Sequence, residues 1–85
     1  MTIIRTDDFL RASRDLPQDI QKLCTVQLDR FEVNDRDPRL HSKKLRGLPN
    51  VFSIRVTRRY RAFFYFQDST TAIFFDIDHR KDAYR

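Results

Sequence analysis

Val51-Phe52-Ser53-Ile54-Arg55-Val56-Thr57, then Arg58-Arg59, then Tyr60-Arg61-Ala62-Phe63-Phe64-Tyr65-Phe66-Gln67 is the stretch that decides the fold. In its first part Phe52, Ile54 and Val56 alternate with Ser53, Arg55 and Thr57, the two-residue period of a half-buried strand. Residues 60–67 are apolar on both faces, as a central strand requires. Gln67-Asp68-Ser69-Thr70 carries turn chemistry, and Thr71 to Asp78 then reads as a third strand. Alternation there puts Ile73, Phe75 and Ile77 on one face, with Asp76 and Asp78 on the other. If Phe52/Ile54/Val56, Ala62/Phe64/Phe66 and Ile73/Phe75/Ile77 pack beneath helices, the opposite, open face carries Arg55, Arg61, Phe63, Tyr65 and the two carboxylates. Arginines beside aromatics suit a nucleotide backbone and its bases.

The chain before this stretch supplies the helices. Thr2 to Arg5 is a short β-prone opening that adds to an edge of the sheet. Thr6 or Asp7 caps a helix over 7–14, with acids in the first turn where the helix dipole favours them. Phe9, Leu10 and Ser13 line one side of it. Pro17 is suited to the first position of a second helix, 17–33. There Ile20, Leu23, Cys24, Leu28 and Phe31 form an apolar stripe. The two helices, joined by Asp15-Leu16-Pro17, form a hairpin, and residues 34–38 break the pattern. Residues 39–50 are irregular and basic and hold the only glycine, Gly47. The order is β-α-α-β-β-β. It predicts an α+β fold, with a small antiparallel-dominated sheet and the helical hairpin on one face.

At 85 residues this is one domain, residues 1–85, with enough Phe and Tyr to build a core. The lone Cys24 cannot form an internal disulfide and signals no metal site. No apolar run is long enough for a membrane span, so the expectation is a cytoplasmic protein. Charge is unevenly spread under a net +5. Residues 1–35 hold five Lys/Arg against seven Asp/Glu, whereas residues 36–61 hold nine against Asp37 alone. Such a basic segment attracts nucleic acid through counterion release, or an acidic protein segment. The chain ends His79-Arg80-Lys81-Asp82-Ala83-Tyr84-Arg85, an imidazole, three cations and a phenol after the last strand. That set suits RNA cleavage or polyanion binding, or it is a solvated basic tail.

In order and spacing these segments resemble the RelE/ParE superfamily of bacterial type II toxins. The resemblance rests on the hairpin around Leu16-Pro17, the loop Leu40-His41-Ser42-Lys43-Lys44-Leu45-Arg46-Gly47, Phe52-Ser53-Ile54-Arg55-Val56, Tyr60-Arg61 and the run from Asp76 to Arg85. It implies an antitoxin partner with an acidic, amphipathic segment, and one of two targets. RelE-like members enter the ribosome and cut mRNA without a metal or other cofactor; ParE-like members inhibit DNA gyrase. The retained His79, Arg80 and Tyr84 favour the first over the second, and a non-toxic RNA- or partner-binding module is the third reading.

For the RNA-cutting reading, the resemblance implies a catalytic set of Arg61, His79, Arg80 and Tyr84. Arg61 stabilises the crowded phosphate, or else pairs with Asp76. Arg80 is the second clamp, Tyr84 stacks or moves a proton, and His79 brings an imidazole, the side-chain type suited to acid–base work near neutral pH. RNA contacts are expected from His41, Lys43, Lys44, Arg46, Arg55, Arg58, Arg59 and Lys81. Because Arg61 sits mid-face, its removal is expected to leave folding nearly unchanged. Two departures stand out. Asp78 occupies a position that is often Gly in the family, and Phe52 and Ile54 do not match the paired lysines of some RNA-cutting members.

Overall fold

A computed structural model describes residues 1–79. The elements are β1 (Thr2–Arg5), α1 (Asp7–Arg14), α2 (Gln18–Val33), a 3₁₀ turn (Pro38–Leu40), β2 (Lys43–Lys44), β3 (Phe52–Arg55), β4 (Tyr60–Asp68) and β5 (Thr71–His79). The five strands form one sheet in the order β1-β5-β4-β3-β2. β1 runs parallel to β5, and the other pairings are antiparallel. The expected α+β architecture is therefore present, with β1 on an edge. Residues 39–50, read as irregular, in fact contain the 3₁₀ turn and the two-residue β2 on the opposite edge.

Local chemistry sets the element ends. The Thr6 hydroxyl accepts a hydrogen bond from the Phe9 amide at 3.1 Å and caps α1, with Asp7 and Asp8 in its first turn. Pro17 stands just before α2 as its cap residue, one position earlier than the sequence suggested. The chain start is tied down at both sides. The Thr2 amide reaches the Thr70 carbonyl at 2.8 Å and the terminal ammonium reaches the Glu32 carbonyl at 3.1 Å.

A phenylalanine cluster forms the core between helices and sheet. Phe31 on α2 meets Phe64 and Phe74 edge-on, with ring centroids at 5.0 and 5.2 Å, and Phe64 stacks on Phe74 at 4.8 Å. Phe9 from α1 joins edge-on to Phe74. Cys24, Leu28, Leu40, Ile54, Val56, Ala62, Ala72 and Ile77 complete the buried cluster. Two residues assigned to helix core faces lie outside it: Leu10 is 41 % exposed and Leu23 45 %. Burial pushes the Cys24 thiol up to about 11, partly offset by the charge of Arg5, so the thiol is a neutral core group.

The expected face assignment holds on β3 and β4 and fails on the first half of β5. Phe64 lies opposite Phe74, yet Phe63 lies opposite Asp76, so Phe75 is the extra residue of a bulge. Before it, Ala72 and Phe74 face the helices; after it, Ile77 does. Ile73 and Phe75 therefore lie on the far face, where Phe75 sits beside Tyr65 with ring centroids 5.9 Å apart. The centre of that face is not open: Ser53, Arg61, Phe63 and Ile73 are all buried.

Candidate functional site

Strand register gathers the predicted groups at one end of the sheet. Arg55 on β3 lies opposite Arg61 on β4, which lies opposite Asp78 on β5. Tyr60 and His79 are the next pair, their rings edge-to-face with centroids 5.2 Å apart. Two residues along, Lys43, Ser53, Phe63 and Asp76 form a second row on the same face. Phe52 and Ile54, which carry no lysine, face the helices. The far-face positions of β3 are Ser53 and Arg55.

Arg61 is the anchor of this end. It is 5 % exposed, and its Nε donates to the Ser53 hydroxyl at 2.8 Å while NH2 donates to the His41 carbonyl at 2.5 Å. His41 is held for that contact. Its φ of 46° ends the 3₁₀ turn in a left-handed conformation, and its amide donates to the Pro38 carbonyl at 3.2 Å. The guanidinium thus fastens the basic loop to the sheet. The expectation that folding would ignore the loss of Arg61 is corrected by this geometry, because its removal leaves the buried Ser53 hydroxyl and the His41 carbonyl without this donor.

A second fastening came from a residue the sequence reading passed over. Gln27 is buried on α2, and its Nε2 donates to the Arg39 carbonyl at 3.0 Å and the Arg55 carbonyl at 2.6 Å. Its Oε1 accepts from Arg30 NH1 at 2.9 Å. One amide side chain thus ties the helix to the start of the loop and to the end of β3. The signal was present: Gln27 follows Cys24 by three residues and precedes Phe31 by four, helical spacing for a residue on the buried side.

The other predicted residues are distributed around this anchor. His41, Lys43, Lys44 and Arg46 are exposed along the loop, and Arg58 and Arg59 are exposed in the connection before β4. Arg55 is half-buried, and its Nε is enclosed with no hydrogen-bond partner among the described residues. Arg80, Lys81 and Tyr84 lie outside the described residues. Asp76 and Asp78 each accept from the amide of the following residue, at 2.8 and 2.7 Å. Burial raises the carboxyl pKa of Asp76, against the bond from Ile77, and the charges of Asp78 and Asp8 push the same way as burial. Among the described residues no group of three or more His, Cys, Asp or Glu is arranged to hold a metal ion. The arrangement offers arginines beside a carboxylate pair on the far face, and an imidazole against Tyr60 on the other face of the same end. It suits holding an anion and moving a proton.

By sequence alone the chain matches no family model and no curated protein. Solved structures do match. The RelB–RelE antitoxin–toxin complex of Methanococcus jannaschii aligns at TM-score 0.78 and 23 % identity over 95 % of this chain and 94 % of that one. The archaeal RelE–RelB complex of Pyrococcus horikoshii aligns at TM-score 0.76 and 15 % identity, over 96 % and 97 %. The toxin–antitoxin complex RelBE2 of Mycobacterium tuberculosis aligns at 30 % identity and TM-score 0.65, over 93 % of this chain and 96 % of that one. With helices on one side of a β1-β5-β4-β3-β2 sheet, that fold likeness, and that identity across nearly the whole length, the chain belongs to the RelE/ParE superfamily of toxin–antitoxin toxins.

Proposed function

We propose that this toxin acts in the cytoplasm as a ribosome-dependent mRNA endonuclease, cutting without a metal by attack of a ribose 2′-OH on the adjacent phosphate. The observation that carries the reading is the pairing of Arg55 with Arg61 on the far face, where Arg61 holds the start of the basic loop, with His79 at the same end of the sheet on its other face. Such a reaction needs proton removal, stabilisation of the crowded phosphorane and protonation of the leaving oxygen. Arg61 supplies the second of these. A phosphate oxygen takes the place of the His41 carbonyl at NH2, exchanging a neutral acceptor for a charged and stronger one. His79 moves a proton, Arg80 is the second clamp, and Tyr84 stacks on a base or takes part in proton transfer. His41, Lys43, Lys44, Arg46, Arg55, Arg58, Arg59 and Lys81 bind the RNA backbone.

The partner in this reading is an antitoxin with an acidic, amphipathic segment. Support comes from the basic loop and from the relatives, whose structures are named as toxin–antitoxin complexes. Cleavage of a short mRNA in programmed ribosomes tests the activity. Arg61→Ala should lower it by about two to three orders of magnitude, the scale of losing one charged stabiliser, and His79→Ala by less. Because Arg61 is also a fastener, Arg61→Lys is the companion variant: it keeps the charge but loses the fork, and both variants are assayed where circular dichroism shows them folded. Unchanged cleavage in Arg61→Ala and His79→Ala removes the site. A wild type that leaves mRNA whole and blocks gyrase supercoiling assigns the chain to the ParE-like function instead.

A further inference from the structure

β3 stops short of its neighbour. Its pairing with β4 begins at Phe52 opposite Phe64, so β4 runs on from Tyr65 to Asp68 with β5 on one side only, among the described strands. Beside that overhang lies a depression of about 410 Å³ lined by Pro49, Asn50, Val51, Phe52, Tyr65 and Phe66. Three of its six residues are aromatic. Tyr65 on the far face is 40 % exposed and Phe66 on the helix side 38 %, so folding leaves both rings partly in water. Tyr65 also leans on Phe75, the residue the bulge turns to the far face.

We propose that this notch binds a single unpaired nucleobase of RNA. The inference rests on the reading of RNA as the ligand and adds to it a base-binding position away from the cut. Tyr65 offers a flat apolar face on the far side of the sheet, Phe66 closes the notch from the helix side, and stacking on an aromatic ring tolerates any base. Asn50 brings a carboxamide with both donor and acceptor, and its φ of 64° is a conformation that Asn adopts more readily than most residues. Charge gives the strand a direction. On one side, sharing Pro49, is a shallower depression that includes Lys44, with Lys43 and Arg46 as its neighbours in sequence. On the other side, past Phe66, the surface carries Asp35 and Asp68 with Arg36. Phosphates attached to the bound base are drawn toward the lysines. Tyr65 stands four residues from Arg61 along β4, about 13 Å at the rise of an extended strand. The base in the notch therefore belongs to a nucleotide to one side of the phosphate at Arg61.

The test uses the full chain and short single-stranded RNAs carrying 2-aminopurine, or an abasic residue, at successive positions. Wild type should quench the fluorescence at one position, and an abasic residue there should weaken binding about tenfold or more, the scale of one lost stack. Tyr65→Ala should bind the intact RNA as weakly as wild type binds the abasic one. Tyr65→Phe should restore binding. Asn50→Gly, which keeps the backbone conformation, should retain stacking and lose preference among bases. Should Tyr65→Ala fail to fold by circular dichroism, Tyr65→Leu keeps the apolar bulk and removes the ring. Equal affinity for abasic and intact RNA overturns the site. So does RNA binding indifferent to residue 65 together with capture of an acidic amphipathic peptide that depends on it, which would make the notch a protein-docking surface. Position-specific base binding without ribosomal cleavage would sustain this site and defeat the nuclease reading. Cleavage with no base-specific binding would do the reverse.

Discussion

The two faces of the sheet are built by different rules. On the helix side, Phe64, Phe74 and Phe31 interlock through apolar rings, and apart from the bulge in β5 their placement follows from the local periods of strand and helix. On the far side, Arg61 is buried just as firmly, but by hydrogen bonds to a hydroxyl and to a carbonyl twenty residues back in the chain. The apolar face is specified locally and tolerates approximate shape. The polar face depends on particular donors meeting particular acceptors across a loop. Such a face is the easier one to lose.

The largest effects should come from changing the register of a strand. Deleting Ala62, which pairs with Ile54 and Ile77 in the regular part of the ladder, turns the residues on one side of the cut to the wrong face. That protein should not fold, and its circular dichroism should show it. Deleting Phe75 should have a small effect, because it is the supernumerary residue and its removal restores plain alternation with Phe74 and Ile77 still facing the helices. The cost should be about 1–2 kcal/mol, for one half-buried ring. If both deletions unfold the chain, the bulge is not a separable insertion.

Next in size is Phe31→Ala. Phe31 is fully buried among Phe64 and Phe74, so truncation should cost about 3–5 kcal/mol by urea denaturation. Gln27→Leu should cost about 1–3 kcal/mol, despite adding apolar surface, because the Arg39 and Arg55 carbonyls lose their donor. The pair sharpens the contrast between burial by apolar contact and burial by hydrogen bonds, here on one helix. Phe31→Leu should recover most of the first loss, whereas no apolar residue should recover the second. A stable Gln27→Leu protein would show that the loop is held by other means.

This contrast explains what the sequence disclosed. The helix spans, the edge position of β1 and the helix-facing sets Phe52/Ile54/Val56 and Ala62/Phe64/Phe66 were legible, since each follows from a local period. Ile73 and Phe75 were misplaced because a bulge reverses the period without marking itself in residue type. Leu23 belongs to the apolar stripe by helical period and Gln27 is no part of it; in the structure the amide is buried and the leucine is 45 % exposed. Burial of Arg61 was invisible because one of its two acceptors is a backbone carbonyl, which any residue at position 41 would supply. The pairing of Arg55 with Arg61 was legible as far as strand pairing could be inferred, but the contact of Arg61 with the loop was not.

The smallest effects separate two carboxylates by sign. Asp37 accepts from the Arg39 side chain at 2.7 and 3.1 Å and from its amide at 2.9 Å, and these bonds hold its pKa down to about 2 from 3.8. A depressed folded pKa gives stability that is present above about pH 4 and lost as pH falls through 2. Asp76 is shifted upward, chiefly by burial, so its contribution is complete at acid pH and declines as pH rises through its folded pKa. Asp37→Asn should therefore lower the denaturation midpoint slightly at neutral pH and match wild type below pH 2, while its own amide oxygen still caps the turn. Asp76→Asn should raise the midpoint at neutral pH and lose that advantage in acid. Other carboxylates contribute to the acid slope of every variant, so the informative quantity is each variant's difference from wild type between pH 2 and 7. Two difference curves of the same sign would refute the assignment of Asp37 to a stabilising cap and Asp76 to a face where charge is poorly solvated.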